Sequence, residues 1–349
     1  MDRRNFIKTA AGSALGLYLS GGVLASNSFS KSADRPNVVF ILTDDHRWDA
    51  FGFMDKPWLK TPNMDRIAAE GVQFTNSFVT TSLCSPSRAS FLTGQYPERH
   101  GVKDTHTPLP EDSVTFLDVF HDAGYHTGFI GKWHMSGKGI PDLVGQGRAD
   151  RMVSFDFNFG QGVYHDCPLI IDGEERNVEG YITDVLTDFA VEFLESRGEK
   201  PFCLYLSHKA VNDDFQPPER HRGKLKDAPM PPWDPSMQSD KYPIAPVQQA
   251  QVDDFEENRR MYYEALMGVD DSVGRVLDYL DDKGLAENTI VVYAGDNGFM
   301  WGEHGLIDKR YAYEESIRIP HLMRFPRMMP EGGRKVDEMV LNVDLAPTL

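Results

Sequence analysis

The run Val38-Val39-Phe40-Ile41-Leu42 is apolar at every position, and Ile290-Val291-Val292-Tyr293 repeats the pattern far along the chain. A strand with one wet face alternates apolar and polar residues. One that is apolar throughout must be covered on both sides, as in a buried parallel sheet. Strands are expected over residues 37–42, 127–131, 202–207 and 289–294. Between them, residues 113–120, 182–196 and 262–280 have helical spacing, clearest where Tyr262, Leu266, Val269, Val273, Val276, Leu277 and Leu280 recur at three and four. This alternation predicts an α/β fold, a large and mainly parallel sheet sandwiched by helices. Residues 212–258, rich in Pro, Asp, Gln and Lys without a sustained period, read as a long excursion.

Charge narrows the partners. Lys and Arg number 36 against 53 Asp and Glu, a formal net charge of -17 at pH 7, which argues against nucleic acid and against an anionic membrane surface. An anionic substrate would also be repelled, so local cations or a metal must reverse the field where it binds. At the N-terminus Arg3-Arg4-Asn5-Phe6-Ile7-Lys8 precedes a weakly apolar run ending in Val23-Leu24-Ala25, the pattern of a twin-arginine export signal over residues 1–26. No later segment has 18 apolar residues in a row, so no membrane span is expected in an exported, periplasmic or extracellular protein. Of the three cysteines, Cys84, Cys167 and Cys203, the last two are free or paired; spacing leaves both open.

Polar groups gather just beyond the expected strands, where open α/β sheets place their sites. The first strand leads into Asp44 and Asp45, the last into Asp296 and Asn297, the second into Lys132 and His134, and the third into His208. Asp44, Asp45, Asp296 and Asn297 offer only oxygen, a donor set for a hard divalent cation, Ca²⁺ before Mg²⁺. Three carboxylates are expected to converge there without cationic side chains equal to their charge.

Cys84-Ser85-Pro86-Ser87-Arg88, followed by Leu92-Thr93-Gly94, sits at an expected strand-to-helix turn. It resembles the defining motif of the sulfatases, and Gly124-Tyr125-His126-Thr127-Gly128-Phe129-Ile130-Gly131-Lys132-Trp133-His134 matches that family's second motif. Gly302-Glu303-His304-Gly305-Leu306 with Lys309, and Tyr313-Glu314-Glu315-Ser316, are also similar to the family, so the resemblance runs from about Arg35 to the end. It implies an alkaline phosphatase-like fold and an enzyme in which a maturation enzyme converts Cys84 to formylglycine, whose hydrate attacks the sulfur of a sulfate ester. It also implies calcium held by Asp44, Asp45, Asp296, Asn297 and an oxygen of the modified Cys84. Arg88 would order the hydrate and the carboxylates, Lys132 and Lys309 would clamp the sulfate, and His134 would serve as base. His304 and Asn212 are expected to touch substrate. Gly160-Gln161-Gly162-Val163-Tyr164-His165-Asp166 and Ile171-Asp172-Gly173 are similar to sulfatases acting on glycans, which points to a sulfated carbohydrate.

One departure bears on the acid. Many sulfatases sharing Ser-His-Lys-Ala carry histidine where this chain has Asn212, within Ser207-His208-Lys209-Ala210-Val211-Asn212. Asparagine is no general acid, so the proton falls to His208, or Asn212 contacts the sulfate only. Two rival readings are a phosphonate or phosphate ester hydrolase of the same superfamily and a catalytically inactive sulfoglycan-binding homologue. The chain stops at Asp344-Leu345-Ala346-Pro347-Thr348-Leu349, a helical start that in sulfatases precedes a smaller C-terminal region. The expected organisation is therefore an export signal and a catalytic domain over residues 35–349, with that smaller region missing.

Overall fold

The computed structural model describes residues 35–135, 139–231 and 253–349; the expected export signal and part of the 212–258 excursion lie outside them. Ten strands form the main sheet: β1 (Asn37–Thr43), β2 (Val72–Phe74), β3 (His126–Gly131), β4 (Arg151–Ser154), β5 (Pro168–Ile171), β6 (Glu174–Asn177), β7 (Phe202–Ser207), β8 (Thr289–Gly295), β9 (His321–Arg324) and β10 (Arg334–Val336). Their order is β10-β2-β9-β8-β1-β7-β3-β4-β5-β6. The adjacent strands β8, β1, β7, β3 and β4 are parallel, with Phe40 paired to both Tyr205 and Val292. Antiparallel pairs lie outward, β9 on β8 and β2, and β5 on β4 and β6. The sheet is thus mixed, mainly parallel at its centre.

The all-apolar β1 shows why both faces must be covered. Successive side chains point to opposite faces. Val39 and Ile41 join a core with Met64 and Ile67 of α1 (Pro62–Glu70), Leu186 and Phe193 of α4 (Ile182–Ser196), and Val269 and Leu277 of α5 (Phe255–Asp282). Val38, Phe40 and Leu42 join the other core with Phe91 and Leu92 of α2 (Cys84–Thr93) and Phe116 and Leu117 of α3 (Phe116–Asp122). Cys167 belongs to the first core and Cys203 to the second, and all three cysteines are unpaired.

The four expected strands and the 182–196 helix are found, while two helix boundaries move. α3 starts at Phe116 because Thr115 caps it: its hydroxyl accepts from the Asp118 amide, and the Asp118 carboxylate accepts from the Thr115 amide. α5 begins at Phe255, seven residues before the periodic pattern, and Phe255 is buried in the core. Helix α2 is unusual in being buried from Cys84 through Leu92, Arg88 included, and it stops where Gly94 turns left-handed at φ 64°. The expected helical start near the chain end is a short helix, Leu345–Thr348, with Leu345 buried in the α2 layer. Just before it, Asn342 donates to the Ser87 hydroxyl at 3.1 Å.

Gly131 ends β3 at φ 119°, and a Cβ there would stand 1.8 Å from the Ser207 carbonyl oxygen. That oxygen accepts the Lys132 amide at 2.8 Å, so this close approach delivers Lys132 to the rim. Gly131→Ala is expected to cost about 3 kcal/mol, the upper end for overpacking, read as a drop in urea-unfolding free energy. Gly124→Ala, at φ 80° but facing open space, should cost only the backbone strain of about 1 kcal/mol.

Candidate active site

The parallel strands end on one rim, and short backbone bonds hold its loops together. The Leu42 carbonyl accepts from the His208 amide at 2.8 Å, the Asp44 amide donates to Ala210 at 3.0 Å, and the Asp44 carbonyl accepts from Val211 at 2.8 Å. These bonds carry the β1–β7 pairing past both strand ends. Asp45 then turns left-handed at φ 54°, its amide donating to Asp296 Oδ1 at 3.0 Å and its carbonyl accepting from the Tyr262 hydroxyl at 2.8 Å. The turn lets Asp44 and Asp45, neighbours in sequence, meet the same partners. Asn212 Nδ2 reaches Asp44 Oδ1 at 3.1 Å and Asp45 Oδ2 at 2.8 Å.

Arg88 is the hub. From the buried α2 it donates through Nη2 to Asp44 Oδ2 at 3.0 Å, through Nε to Asp296 Oδ2 at 2.9 Å, and through Nη1 to the Lys132 carbonyl at 2.9 Å and the Ser207 hydroxyl at 2.6 Å. Lys132 Nζ bonds Asp44, and Lys309 Nζ bonds Asp45 and lies 3.1 Å from Cys84 Sγ. The expected shortage of cations is therefore corrected: Arg88, Lys132 and Lys309 stand against Asp44, Asp45 and Asp296. They come from different elements, so no sequence window shows the match.

The donor set still fits a hard cation. Asn297 Nδ2 donates to Asp45 Oδ1 at 2.6 Å and to the Gly298 carbonyl, yet its Oδ1 is buried without a hydrogen-bond partner. An orphaned buried carbonyl oxygen is costly unless something positive meets it. Ligand atoms of Asp44, Asp45 and Cys84 lie within 4.8 Å of one another. The two carboxylates there, like the Asn297 carbonyl, are oxygen donors of the kind calcium takes.

Burial sets the protonation states. It would raise the Asp44 carboxyl, but Lys132, Arg88 and Lys309 overcome it and hold Asp44 well below the usual carboxylate range. Asp45 is pushed up to about 7 by burial, with Lys309 opposing and Asp44 and Asp296 adding repulsion. Burial, then repulsion from Asp44, pushes the Cys84 thiol up to about 12, so an unmodified Cys84 is a neutral thiol, a poor nucleophile. His134, left-handed at φ 57°, is neutral because burial and then Lys132 lower it to about 2, and its Nδ1 has no partner.

Two expected site residues stand apart. His208 follows β7 as expected, but its Nε2 bonds Ser272 of α5 at 3.0 Å, and burial lowers it to about 3. His304 stacks on Tyr313 with ring centroids 3.9 Å apart, its Nε2 3.4 Å from Glu315; among the described residues no hydrogen bond joins it to the Asp44–Lys309 cluster. Two residues that sequence reasoning gave no role stand here: Gln161 bonds the cluster, while the Lys209 ammonium donates to the Asp213 carbonyl at 3.2 Å. Gln161 Oε1 accepts from Lys132 Nζ at 2.5 Å. Lys209 holds its buried ammonium 4.4 Å from the Tyr164 ring centre, and the Tyr164 hydroxyl donates to the Asn212 carbonyl at 2.6 Å. Both lie inside quoted motifs, but a polar residue in a loop carries no signal of its partner.

A family model described as Sulfatase matches residues 36–349. Among curated proteins, the chain is 32% identical to an N-acetylglucosamine-6-O-sulfatase of Bacteroides thetaiotaomicron, over 96% of this chain and 71% of that protein. It is 30% identical to an ulvan-active sulfatase of Formosa agariphila, over 90% of this chain and 61% of the other, and 29% to human N-acetylglucosamine-6-sulfatase, over 96% and 64%. The chain thus spans roughly two thirds of the length of these relatives. A solved structure holding its substrate D-glucosamine-2-N,6-O-disulfate superposes with a TM-score of 0.78 at 31% identity, over 90% of this chain and 76% of that one. A phosphonate monoester hydrolase of Agrobacterium radiobacter, at 20% identity and a TM-score of 0.69 over 90% of this chain and 71% of that one, shares the fold.

Proposed function

Since this chain belongs to the sulfatase family, we propose that it hydrolyses sulfate esters of sugars, with Cys84 matured to formylglycine and calcium at Asp44, Asp45, Asp296 and Asn297. The observation that carries this reading is the cluster itself: Cys84 at the N-terminus of α2, bonded to Lys309 and 3.4 Å from Asp44 Oδ1, beside an orphaned Asn297 oxygen. In this structure Cys84 Sγ stands where an oxygen of the formylglycine hydrate would be. When present, the hydrate supplies the attacking hydroxyl and calcium neutralises sulfate oxygens. Glycan substrates are supported by the relatives' activities and by the disulfated glucosamine bound in the neighbouring structure. The residues 1–26 are assigned to twin-arginine export, and among the described residues no helix is long and apolar enough to cross a membrane.

The chain's own groups divide the work. Lys132 and Lys309 bring buried positive charge to the sulfuryl group, where low dielectric strengthens it. Arg88 holds Asp44 and Asp296 in place and, with Lys132 and Lys309, keeps Asp44 ionised. Neutral His134, whose Nδ1 has no partner, would be the group placed to accept the proton lost as sulfate is released. Asn212 holds Asp44 and Asp45 and gives no proton. His208 is turned toward Ser272, so we assign the leaving-group proton to Lys209. Side chains alternate along extended backbone, which directs Lys209 away from the Ser272 side. Burial and then repulsion from Lys132 lower its ammonium to about 8, a range in which an amine can release its proton.

Three outcomes test these assignments. The peptide bearing Cys84, from active protein expressed with a maturation enzyme, should carry the aldehyde by mass spectrometry, and Cys84→Ala should abolish turnover without unfolding; a fully active sample with an intact thiol refutes the nucleophile. Chelation should remove activity and lower the melting temperature, because the ion binds the folded state only; full activity in a sample shown metal-free by elemental analysis refutes the calcium site. Lys209→Met should depress hydrolysis of a sugar sulfate roughly one to three decades more than that of an aryl sulfate with an acidic phenol, the span of general-acid help. The sugar reaction should also decline as pH rises through about 8, where Lys209 loses its proton. His208→Ala should lower both substrates alike, and a selective loss there would return the acid role to His208.

A further inference from the structure

Beside the cluster, the turn over residues 156–162 holds two aromatic rings in water: Phe159 is 84% exposed and Phe157 52%. The turn is tightly specified. Gly160 donates to the Asp156 carbonyl at 3.1 Å, Gln161 to Asn158 at 3.0 Å, and Gly162 to Phe157 at 2.9 Å. Asn158 and Phe159 are both left-handed, at φ 54° and 56°. A bulky residue in that region is strained and persists only where the surroundings over-determine it, and such strain gathers at functional sites. Folding gains nothing by straining the backbone to keep a phenyl ring out of the core.

The turn is also fastened to the reacting groups. Gly160 lies flat on His134, where an added Cβ would be 3.2 Å from Cδ2, and Gln161 accepts from Lys132 Nζ at 2.5 Å. Phe159 is therefore one residue from a contact with His134 and two from a bond to Lys132. At 3.8 Å between consecutive Cα atoms, its Cα is within about 8 Å of that of Gln161. A sulfate held by Lys132 thus brings the ring it esterifies alongside this turn. One face of a pyranose presents C–H groups, which suit the negative face of an aromatic ring.

Resting on the sulfate-ester reading above, we propose that Phe159 is the platform on which the sulfated pyranose ring stacks, a specificity-determining residue that selects sugar rings over acyclic sulfate esters. Inorganic sulfate, which carries no ring, separates the platform from the anion site. In the full chain matured to formylglycine, with N-acetylglucosamine 6-sulfate as substrate, Phe159→Ala should raise KM roughly three- to tenfold, the scale of one lost aromatic contact. The inhibition constant of inorganic sulfate should stay within about twofold on the same scale. Phe159→Trp should restore KM, and Phe159→Leu, apolar but without a ring face, should not. An unchanged KM in Phe159→Ala overturns the platform, as does a parallel rise in KM and in the sulfate inhibition constant, which would mean that Phe159 only positions Lys132. Absence of both turnover and sulfate binding in the unaltered protein removes the sulfate-ester reading and the platform with it.

Discussion

The guanidinium of Arg88 is the interaction on which the site depends. It is 1% exposed, reached only by a helix buried along nearly its whole length, and its donors meet the ends of four strands: Asp44 after β1, Asp296 after β8, the Lys132 carbonyl after β3 and the Ser207 hydroxyl at the end of β7. A planar fork with fixed donor directions can satisfy such a set, and an ammonium cannot. Desolvating so many charges is unfavourable in itself, and it is offset only because each finds an opposite charge and a hydrogen bond. A buried network of this kind sets geometry more than stability.

That geometry has a chemical consequence. Asp44 is kept ionised by three cations, whereas Asp45, with Lys309 as its main cation, is lifted toward neutrality by burial. Two adjacent carboxyls therefore differ in their hold on a proton. A divalent ion at the orphaned Asn297 oxygen would supply the charge that Asp45 lacks. His134 and Lys209 are drawn down by the same surroundings, burial first and Lys132 second. One lysine thereby tunes both groups assigned to proton transfer, and Gln161 in turn holds that lysine.

The fold's contribution is to bring four loops to one rim within hydrogen-bonding tolerance. Parallel pairing continues past β1 and β7 through Asp44, Ala210 and Val211, so Asn212 arrives at the two aspartates by backbone register rather than by chance contact. Gly131 permits the closest approach in this region, and Asp45 and His134 accept left-handed backbone to face inward. Strain at both positions is what a site built on strand ends requires. The segment 342–349 packs behind α2 and steadies the helix that carries Cys84 and Arg88.

Much of this was legible without coordinates. Consecutive apolar residues in β1 and β8 demanded cover on both faces, and short motifs located Cys84, Arg88, Lys132 and the oxygen donors, because buried strands and strand-end ligands both leave local patterns. The antiparallel outer strands were not all legible, since a short exposed strand such as β6 is polar throughout and carries no period. The orientation of His208 was hidden for a related reason: which way a side chain faces depends on what packs there, and only the position of Ser272 on α5 reveals it. The charge balance of the cluster was likewise hidden, as its partners lie as far as 264 residues apart. The sequence by itself determined the architecture, the family and the chemical identity of the rim, because those depend on composition and spacing along the chain. Tertiary structure alone decided which cation meets which carboxylate and that His208 is turned toward Ser272, because those depend on distances between segments that no local pattern encodes.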